Sequence, residues 1–141
     1  MIRRPPRSTL SSSSAASDVY KRQALAHRIE AGCDFFVMPS RFEPCGLNQL
    51  YSLRYGAIPI VRETGGLKDS IIDLSQGDDT ATGIKFEQPN ADALGQALGQ
   101  AFKLYSDPSR LAKVRDNGMR ADFSWFRTTT EYDRLYNTIR P

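Results

Sequence analysis

Two short apolar runs, each followed by a glycine-containing loop and a helical pattern, constrain the fold of this chain most. The runs cover residues 34–38 and 57–61, and the first ends at Pro39. A short, continuously apolar run without polar alternation is typical of a strand buried on both faces of a parallel sheet. We therefore expect an α/β fold built on parallel strands.

Helical spacing and turn residues follow both runs. After the first run, long side chains recur at helical spacing at Leu47, Leu50, Tyr51 and Arg54. Gly56 stands where a C′ glycine ends a helix. Pro59 lies inside the second run and cannot donate a ladder hydrogen bond, so we expect a local irregularity or a free edge there. The turn at residues 64–66 leads into a short helix predicted over residues 67–74, and a polar loop follows at 76–82.

A third, weaker strand and a capped helix are predicted next. The strand covers residues 83–87, with Ile84 and Phe86 on one face. Asn90 has the side chain and position of an N-cap. The helix after it carries an apolar stripe, which we expect to pack inward, at Leu94, Leu98, Ala101, Phe102 and Tyr105.

Two further helices are predicted at the C-terminal end. Asp107 and Pro108 begin the first of them, which turns Leu111 and Val114 inward. We expect this helix to stop at Asn117–Gly118. Ser124 is the predicted cap of the last helix. Its apolar residues, interpreted as core or docking surface, are Trp125, Tyr132, Leu135, Tyr136 and Ile139.

The order strand, helix, strand, helix, strand, helices is that of the back half of a doubly wound domain. Only about three strands are predicted, whereas sheets average about five to six. The sequence therefore indicates a truncated domain with an unpaired sheet edge and an uncovered apolar face.

Composition excludes several classes of protein. The chain has 141 residues, enough for about one domain, and its 40% hydrophobic and 25% charged residues are ordinary for a globular protein. The longest apolar run is far shorter than the roughly 18 residues of a membrane span. Two cysteines are too few for a disulfide scaffold, and a single histidine argues against a histidine-rich metal site. We expect reduced thiols, a cytoplasmic location, no membrane partner, no metal and no cofactor.

The basic charge is confined to one end of the chain. The net charge is +3, but residues 1–23 hold five of the 19 basic and one of the 16 acidic residues. The remaining residues, 24–141, hold 14 basic and 15 acidic residues and carry a net charge of −1. This body gives no electrostatic reason to expect a nucleic-acid partner.

Residues 1–23 read MIRRPPRSTLSSSSAASDVYKRQ and have neither strand nor helix periodicity. Four serines, residues 11–14, occupy the place where a signal peptide needs its apolar core. The string resembles the translation of a sequencing adapter fused to a read. We therefore predict that residues 1–23 are a disordered head of artefactual origin and that the domain covers residues 24–141.

Two loops are the candidate binding elements. The segment SRFEPCGLNQ follows the first strand, and ETGGL follows the second. Ligands of open parallel sheets bind outside the carboxyl ends of the strands, where helix N-termini offer free N–H groups. Glu43 adds a carboxylate, and Gly65–Gly66 allow close backbone approach. These features suit a sugar carried on a phosphate, although Glu43 could equally be a charge that stabilises a helix N-terminus.

Other residues are weaker candidates. His27 has no metal-ligand partner beyond Glu30 and is interpreted as a polar or capping residue. Cys45 lies at a predicted helix N-terminus, but no histidine base is near it in sequence, which argues against a cysteine nucleophile. Asp78–Asp79 is typical of a solvated loop, and Lys68 of a surface lysine.

The stretch from His27 to Ser70, with the motifs SRFEPCGLNQLY and RETGGL, resembles the C-terminal domain of bacterial glycogen synthases and plant starch synthases. The likeness continues through residues 82–86 and 122–125, so it covers essentially all of residues 24–141. It implies a two-domain GT-B glycosyltransferase with Rossmann-like sheets, of which this chain is the back half of the C-terminal, nucleotide-sugar-binding domain. The implied reaction is retaining transfer of glucose from ADP-glucose to the non-reducing end of an α-1,4-glucan.

The resemblance also implies roles for single residues. Glu43 is the expected catalytic residue beside the donor glucose, and the backbone of residues 45–47 is expected to hold sugar hydroxyls. Asn48 is placed near the diphosphate, and residues 64–66 line the pocket. The complete set is Glu43, Cys45, Gly46, Leu47, Asn48, Thr64, Gly65 and Gly66. Related retaining transferases carry a second glutamate where this chain has Tyr51, so no second carboxylate is assigned.

The resemblance places the acceptor side of the cleft on an N-terminal domain, and an arginine and a lysine for the diphosphate upstream of residue 24. We therefore expect this chain alone to be inactive and to need that N-terminal domain as its partner. Two alternatives stay open: a noncatalytic nucleotide-sugar or glucan binding module, and a related transferase that uses UDP-glucose. The location would be plastidic for a plant starch synthase.

Overall fold

The computed structural model describes residues 23–140. It contains six α-helices, α1 to α6, and three strands, β1 to β3. In chain order they are α1 Gln23–Gly32, β1 Phe35–Met38, α2 Asn48–Tyr55, β2 Ile58–Arg62, α3 Gly65–Ser70, a 3₁₀ turn Leu74–Gln76, β3 Ile84–Phe86, α4 Ala91–Tyr105, α5 Pro108–Arg120 and α6 Trp125–Ile139. The predicted head lies outside the described residues except for Gln23, which begins α1.

The three strands form one parallel sheet in the order β1-β2-β3. The predicted parallel α/β architecture is therefore confirmed. Residues 58–61 of the central strand are buried, as expected. For β1 the expectation of burial on both faces is wrong, because Val37 is 40% exposed. The reason is position: among the described residues, β1 pairs with a neighbour on one side only.

Pro59 sits in the central strand and pairs in register with Phe36. The Ile58 N–H donates to Asp34 O at 2.9 Å, which lies on the β1 side of the strand. The backbone groups of successive strand residues point alternately toward the two neighbouring strands. Pro59 therefore faces β3, whose pairing with β2 begins only at Ile60↔Ile84. Proline has no N–H to donate, but at Pro59 the β2–β3 hydrogen bonds have not yet begun. This side of β2 is therefore a free edge at that residue, as one of the two expectations had it.

Helix α2 ends as predicted, with Gly56 in the left-handed region at φ 80°. The helix predicted over residues 67–74 is instead the shorter α3, followed by the 3₁₀ turn. The chain leaves the helix because the Ile72 N–H donates to Thr82 Oγ1 at 2.9 Å, and Ile72 O accepts from Thr82 and Gly83. This pairing beside β3 overrides the local helical pattern.

The caps of the two middle helices are confirmed. Asn90 Oδ1 accepts from Ala93 N at 2.9 Å, and Asp107 Oδ1 accepts from Arg110 N at 3.1 Å. The stripe of α4 is only partly right, because Phe102 is 71% and Tyr105 54% exposed. Helix α4 buries the predicted Ala101 and, in addition, Ala97 and Leu104, which the predicted stripe did not include.

Helix α5 does not stop at Asn117–Gly118 but continues to Arg120. Gly118 is a packing residue, because a Cβ there would stand 2.8 Å from Leu53 Cδ2 of α2. Leu111 and Val114 point inward as predicted. They complete the larger of two core clusters, which packs β2, β3, α4 and α5 around Ile60.

The first and last helices lie at the margins of the fold. Helix α1 was not predicted; it places His27 edge-on against Tyr51, with ring centroids 5.0 Å apart. Helix α6 was predicted, but none of its fifteen residues is buried. Its aromatic residues therefore do not belong to the core of the described residues.

Candidate functional site

The two candidate loops leave the same edge of the sheet. Strands β1 and β2 are parallel and in register up to Met38↔Val61, so their carboxyl ends lie side by side. Residues 39–47 follow β1 and lead into α2, and residues 63–64 follow β2 and lead into α3. The structure thus brings the two predicted loops together at the place where open parallel sheets bind ligands.

Two glycines allow these loops to touch through their backbones. The Gly66 N–H donates to Glu43 O at 3.2 Å. A Cβ on Gly66 would lie 2.2 Å from Cys45 O, and one on Gly65, whose φ is 45°, would lie 2.0 Å from Glu43 O. Any larger residue would force the loops apart, so the contact depends on glycine at both positions.

The start of α2 is open on its N-terminal side. Leu47 is the N-cap residue, and its side chain makes no capping hydrogen bond. Gly46 precedes it with φ at 75°, a left-handed conformation that glycine adopts without strain. Backbone N–H groups of an uncapped first turn favour anions and hydroxyl oxygens. Asn48, the first helical residue, is exposed beside them.

All eight predicted site residues lie on these two loops or at the helix starts that follow them. Glu43, Gly46, Thr64 and Gly66 are half-buried, whereas Cys45, Leu47, Asn48 and Gly65 are exposed. Within residues 23–140 the Glu43 carboxylate has no hydrogen-bond or ion-pair partner, so it does not cap a helix there. Its ligand-binding role stays a prediction.

Arg62, at the end of β2, binds the backbone of the first loop through hydrogen bonds. Its guanidinium donates to Ser40 O at 2.7 Å, to Arg41 O, and to Glu87 O at 3.3 Å beyond β3. Three carbonyls from two loops are therefore tied to one side chain. The sequence did not predict this role, because the carbonyls that Arg62 binds are more than twenty residues away along the chain.

Charged side chains beside the second loop are already paired. Glu63 contacts Lys68 at 3.3 Å and Lys85 at 3.7 Å. Lys68 has a 60% exposed side chain, in agreement with the surface lysine expected from the sequence. The Lys85 N–H donates to Asp73 Oδ2 at 2.6 Å. Burial opposes ionisation of Asp73, but hydrogen bonds from Ser75 and Lys85 outweigh it and lower its pKa below the ordinary value.

The remaining candidates are structural. Asp78 binds Arg110 at 2.6 Å, and Asp79 pairs with Lys113, so this acidic pair anchors the loop to α5. Both cysteines are free thiols, and burial raises the pKa of Cys33. Among the described residues there is no cluster of side chains that could hold a metal ion. None of the helices described is long and apolar enough to cross a membrane.

A cleft of about 560 Å³ lies elsewhere, between α2, α3 and α6, and is lined in part by Asp69, Phe123 and Tyr132. None of the eight predicted residues lines it. This cleft therefore does not coincide with the loop pair.

The comparisons with known proteins identify the family of this chain. The family model of the glycosyl transferases group 1 matches residues 17–119, so the chain belongs to this family of glycosyltransferases. Among its relatives, the glycogen synthase of Rhodospirillum rubrum is 53% identical over 125 residues, 89% of this chain and 26% of that protein. The glycogen synthase of Thioalkalivibrio sulfidiphilus is 51% identical over 122 residues, 83% of this chain and 25% of that protein.

Solved structures show the same architecture. The catalytic domain of starch synthase IV from Arabidopsis thaliana, bound to ADP and acarbose, matches 82% of this chain and 24% of its own, with a TM-score of 0.73 and 39% identity. A sucrose-phosphate synthase from Thermosynechococcus elongatus matches 75% of this chain and 25% of its own, with a TM-score of 0.54 and 26% identity. The resemblance to glycogen and starch synthases and the GT-B type of fold are confirmed. The chain spans about a quarter of the length of the relatives it matches.

Proposed function

We propose that this chain forms the donor side of a glycogen or starch synthase, which transfers glucose from ADP-glucose to the non-reducing end of an α-1,4-glucan with retention. The observation that carries the proposal is the closure of Gly65 and Gly66 onto the backbone of the loop that holds Glu43 and Cys45. This contact brings the Glu43 carboxylate, unpaired within residues 23–140, and the uncapped start of α2 to one edge of the sheet. Two bacterial glycogen synthases are identical to this chain at about half of the aligned residues.

The proposed roles follow from the chemistry of the groups. Glu43 is a hydrogen-bond acceptor for the donor glucose, and the backbone N–H groups of residues 45–47 are donors for its hydroxyls. Asn48 lies where the first turn of α2 favours the diphosphate. Residues 64–66 border the nucleotide sugar from the second loop. The acceptor glucan and the N-terminal domain are proposed partners, and a cytoplasmic location stays a prediction.

The test uses the Rhodospirillum rubrum glycogen synthase with residues 24–141 of this chain in place of its aligned segment. We expect this chimera to transfer glucose from ADP-glucose to glycogen. Glu43→Gln keeps the size of the side chain and removes its charge, so kcat should fall about 10²-fold or more. Glu131→Gln, on the exposed face of α6, is the matched control and should leave kcat unchanged.

The outcomes separate the alternatives. A chimera that binds ADP-glucose without transfer would support a noncatalytic binding module. Preference for UDP-glucose in direct competition would support the related transferase. The 141-residue chain alone should show no transfer, because catalysis requires both substrates to be positioned; turnover by the isolated chain would contradict this expectation.

A further inference from the structure

One buried polar side chain lies between the two loops. Gln49, in the first turn of α2, is only 1% exposed. Its Nε2 donates to Cys45 O at 3.0 Å, to Gly46 O at 3.0 Å and to Ser70 Oγ at 3.3 Å. A carboxamide has two N–H groups, so three acceptors saturate its donor end, one N–H being shared.

The hydrogen bonds continue into the second loop. Ser70 Oγ, at the end of α3, donates its proton to Gly66 O at 2.6 Å and accepts from Gln49. The direction of each bond is therefore fixed. Residue 49 must be a donor and residue 70 must be a hydroxyl, since the carbonyls at both ends can only accept.

The acceptor end of Gln49 shows that this arrangement is not ordinary packing. Gln49 Oε1 is buried and has no hydrogen-bond partner among the described residues. A Cβ on Gly46 would stand 2.5 Å from this oxygen, so the carboxamide lies directly against the Gly46 backbone. A methionine would fill the same space without an unpaired buried oxygen. The donor end therefore accounts for a glutamine here.

We propose that Gln49 and Ser70 are positioning residues, which hold the loop of Glu43 to Gly46 and the loop of Thr64 to Gly66 at the separation that the nucleotide sugar requires. This inference rests on the proposed function. Neither residue needs to touch the substrate. They act on the backbone carbonyls of Cys45 and Gly46 in the first loop and of Gly66 at the start of α3.

The test uses the active chimera described above. Gln49→Met keeps the volume and removes the donors, and Ser70→Ala removes the hydroxyl. We expect each to lower kcat/KM for ADP-glucose about tenfold or more, because a small misplacement of binding groups is costly. Ser70→Thr keeps the hydroxyl and should restore the parent value. Gln96→Met, on the exposed face of α4, is the matched control and should change nothing.

A second readout separates positioning from stability. Amide exchange at Gly66, whose N–H donates to Glu43 O, should accelerate in Gln49→Met and Ser70→Ala but not in Ser70→Thr. If both variants lower Tm yet keep kcat and KM within twofold well below Tm, the two residues are only structural and the inference is overturned. If Gln49→Met does not fold, Ser70→Ala decides alone. Absence of transfer by the parent chimera overturns the proposed function itself.

Discussion

The loop pair and helix α6 differ in how sequence pattern relates to packing. The loops, residues 39–47 and residues 63–64 with the first two residues of α3, contain few apolar residues, yet they fit through backbone contacts that exclude a Cβ. Helix α6 has a clear apolar stripe and buries none of its residues. Six of its large apolar and aromatic side chains are more than half exposed, namely Trp125, Phe126, Tyr132, Leu135, Tyr136 and Ile139.

Periodicity in a sequence and packing in the fold are therefore separate pieces of information. An apolar stripe predicts that a helix forms, but a second surface is needed to bury it. Paired glycines predict no element, yet they mark the place where two backbones meet. The stability of this chain should therefore depend on the loops and the sheet, and very little on α6.

The largest effect is expected from a matched pair of leucines. Leu104 in α4 is 0% exposed, whereas Leu135 in α6 is 54% exposed. Leu104→Ala should reduce the free energy of unfolding by about 2–5 kcal/mol, because it leaves a cavity in the core. Leu135→Ala should change it by less than about 0.5 kcal/mol. Urea unfolding of the chain measures both, and equal losses would mean that α6 is packed like α4.

A glycine pair tests the loop contact next. Gly66→Ala places a Cβ 2.2 Å from Cys45 O and should destabilise the chain by about 1–3 kcal/mol. Gly95→Ala in α4 meets no atom within 4 Å and should stabilise it by about 0.5–1 kcal/mol. Thermal unfolding should therefore shift in opposite directions. A neutral Gly66→Ala would show that the loops are free to separate.

Much of the fold could be predicted because its signals are local. Apolar runs located β1 to β3, and Asn90, Asp107 and Gly56 marked helix ends through their own backbone and side-chain chemistry. The failures arose where partners distant in sequence decide. Gly118 has the local form of a helix stop, but packing against Leu53 keeps it inside α5.

The positions of the two loops of the candidate site could be predicted from the sequence, but the side chains that bind their backbones could not. Helix starts and paired glycines follow directly from strand ends, so the region of Glu43 and Gly66 could be located. Gln49 and Arg62 could not be assigned in this way. Their partners, Ser70 and the carbonyls of Ser40 and Glu87, become neighbours only when the parallel register is known.

The smallest effect concerns two aspartates in similar turns, one beside the sheet and one before α6. Asp73 and Asp122 each accept from a serine N–H two residues later, at 2.9 and 2.8 Å. Hydrogen bonds from Ser75 and Lys85 outweigh burial and lower the pKa of Asp73, and those from Ser124 lower the pKa of the exposed Asp122. Both carboxylates stabilise the fold fully above the ordinary value of 3.8 and lose this contribution as the pH falls through the lowered pKa.

Only Asp73 also binds the β3 backbone, through Lys85 N, so the two aspartates should differ in effect. Asp73→Asn should cost about 1 kcal/mol at pH 7, because it removes the charge from a partly buried acceptor. The cost should disappear below the lowered pKa, which flattens the acid limb of the stability curve. Asp122→Asn should leave that limb nearly unchanged, since solvent screens an exposed charge. Urea unfolding between pH 2 and pH 7 distinguishes the two variants. An equal change in the free energy of unfolding would mean that the turn before α6 contributes to stability as much as the turn beside the sheet.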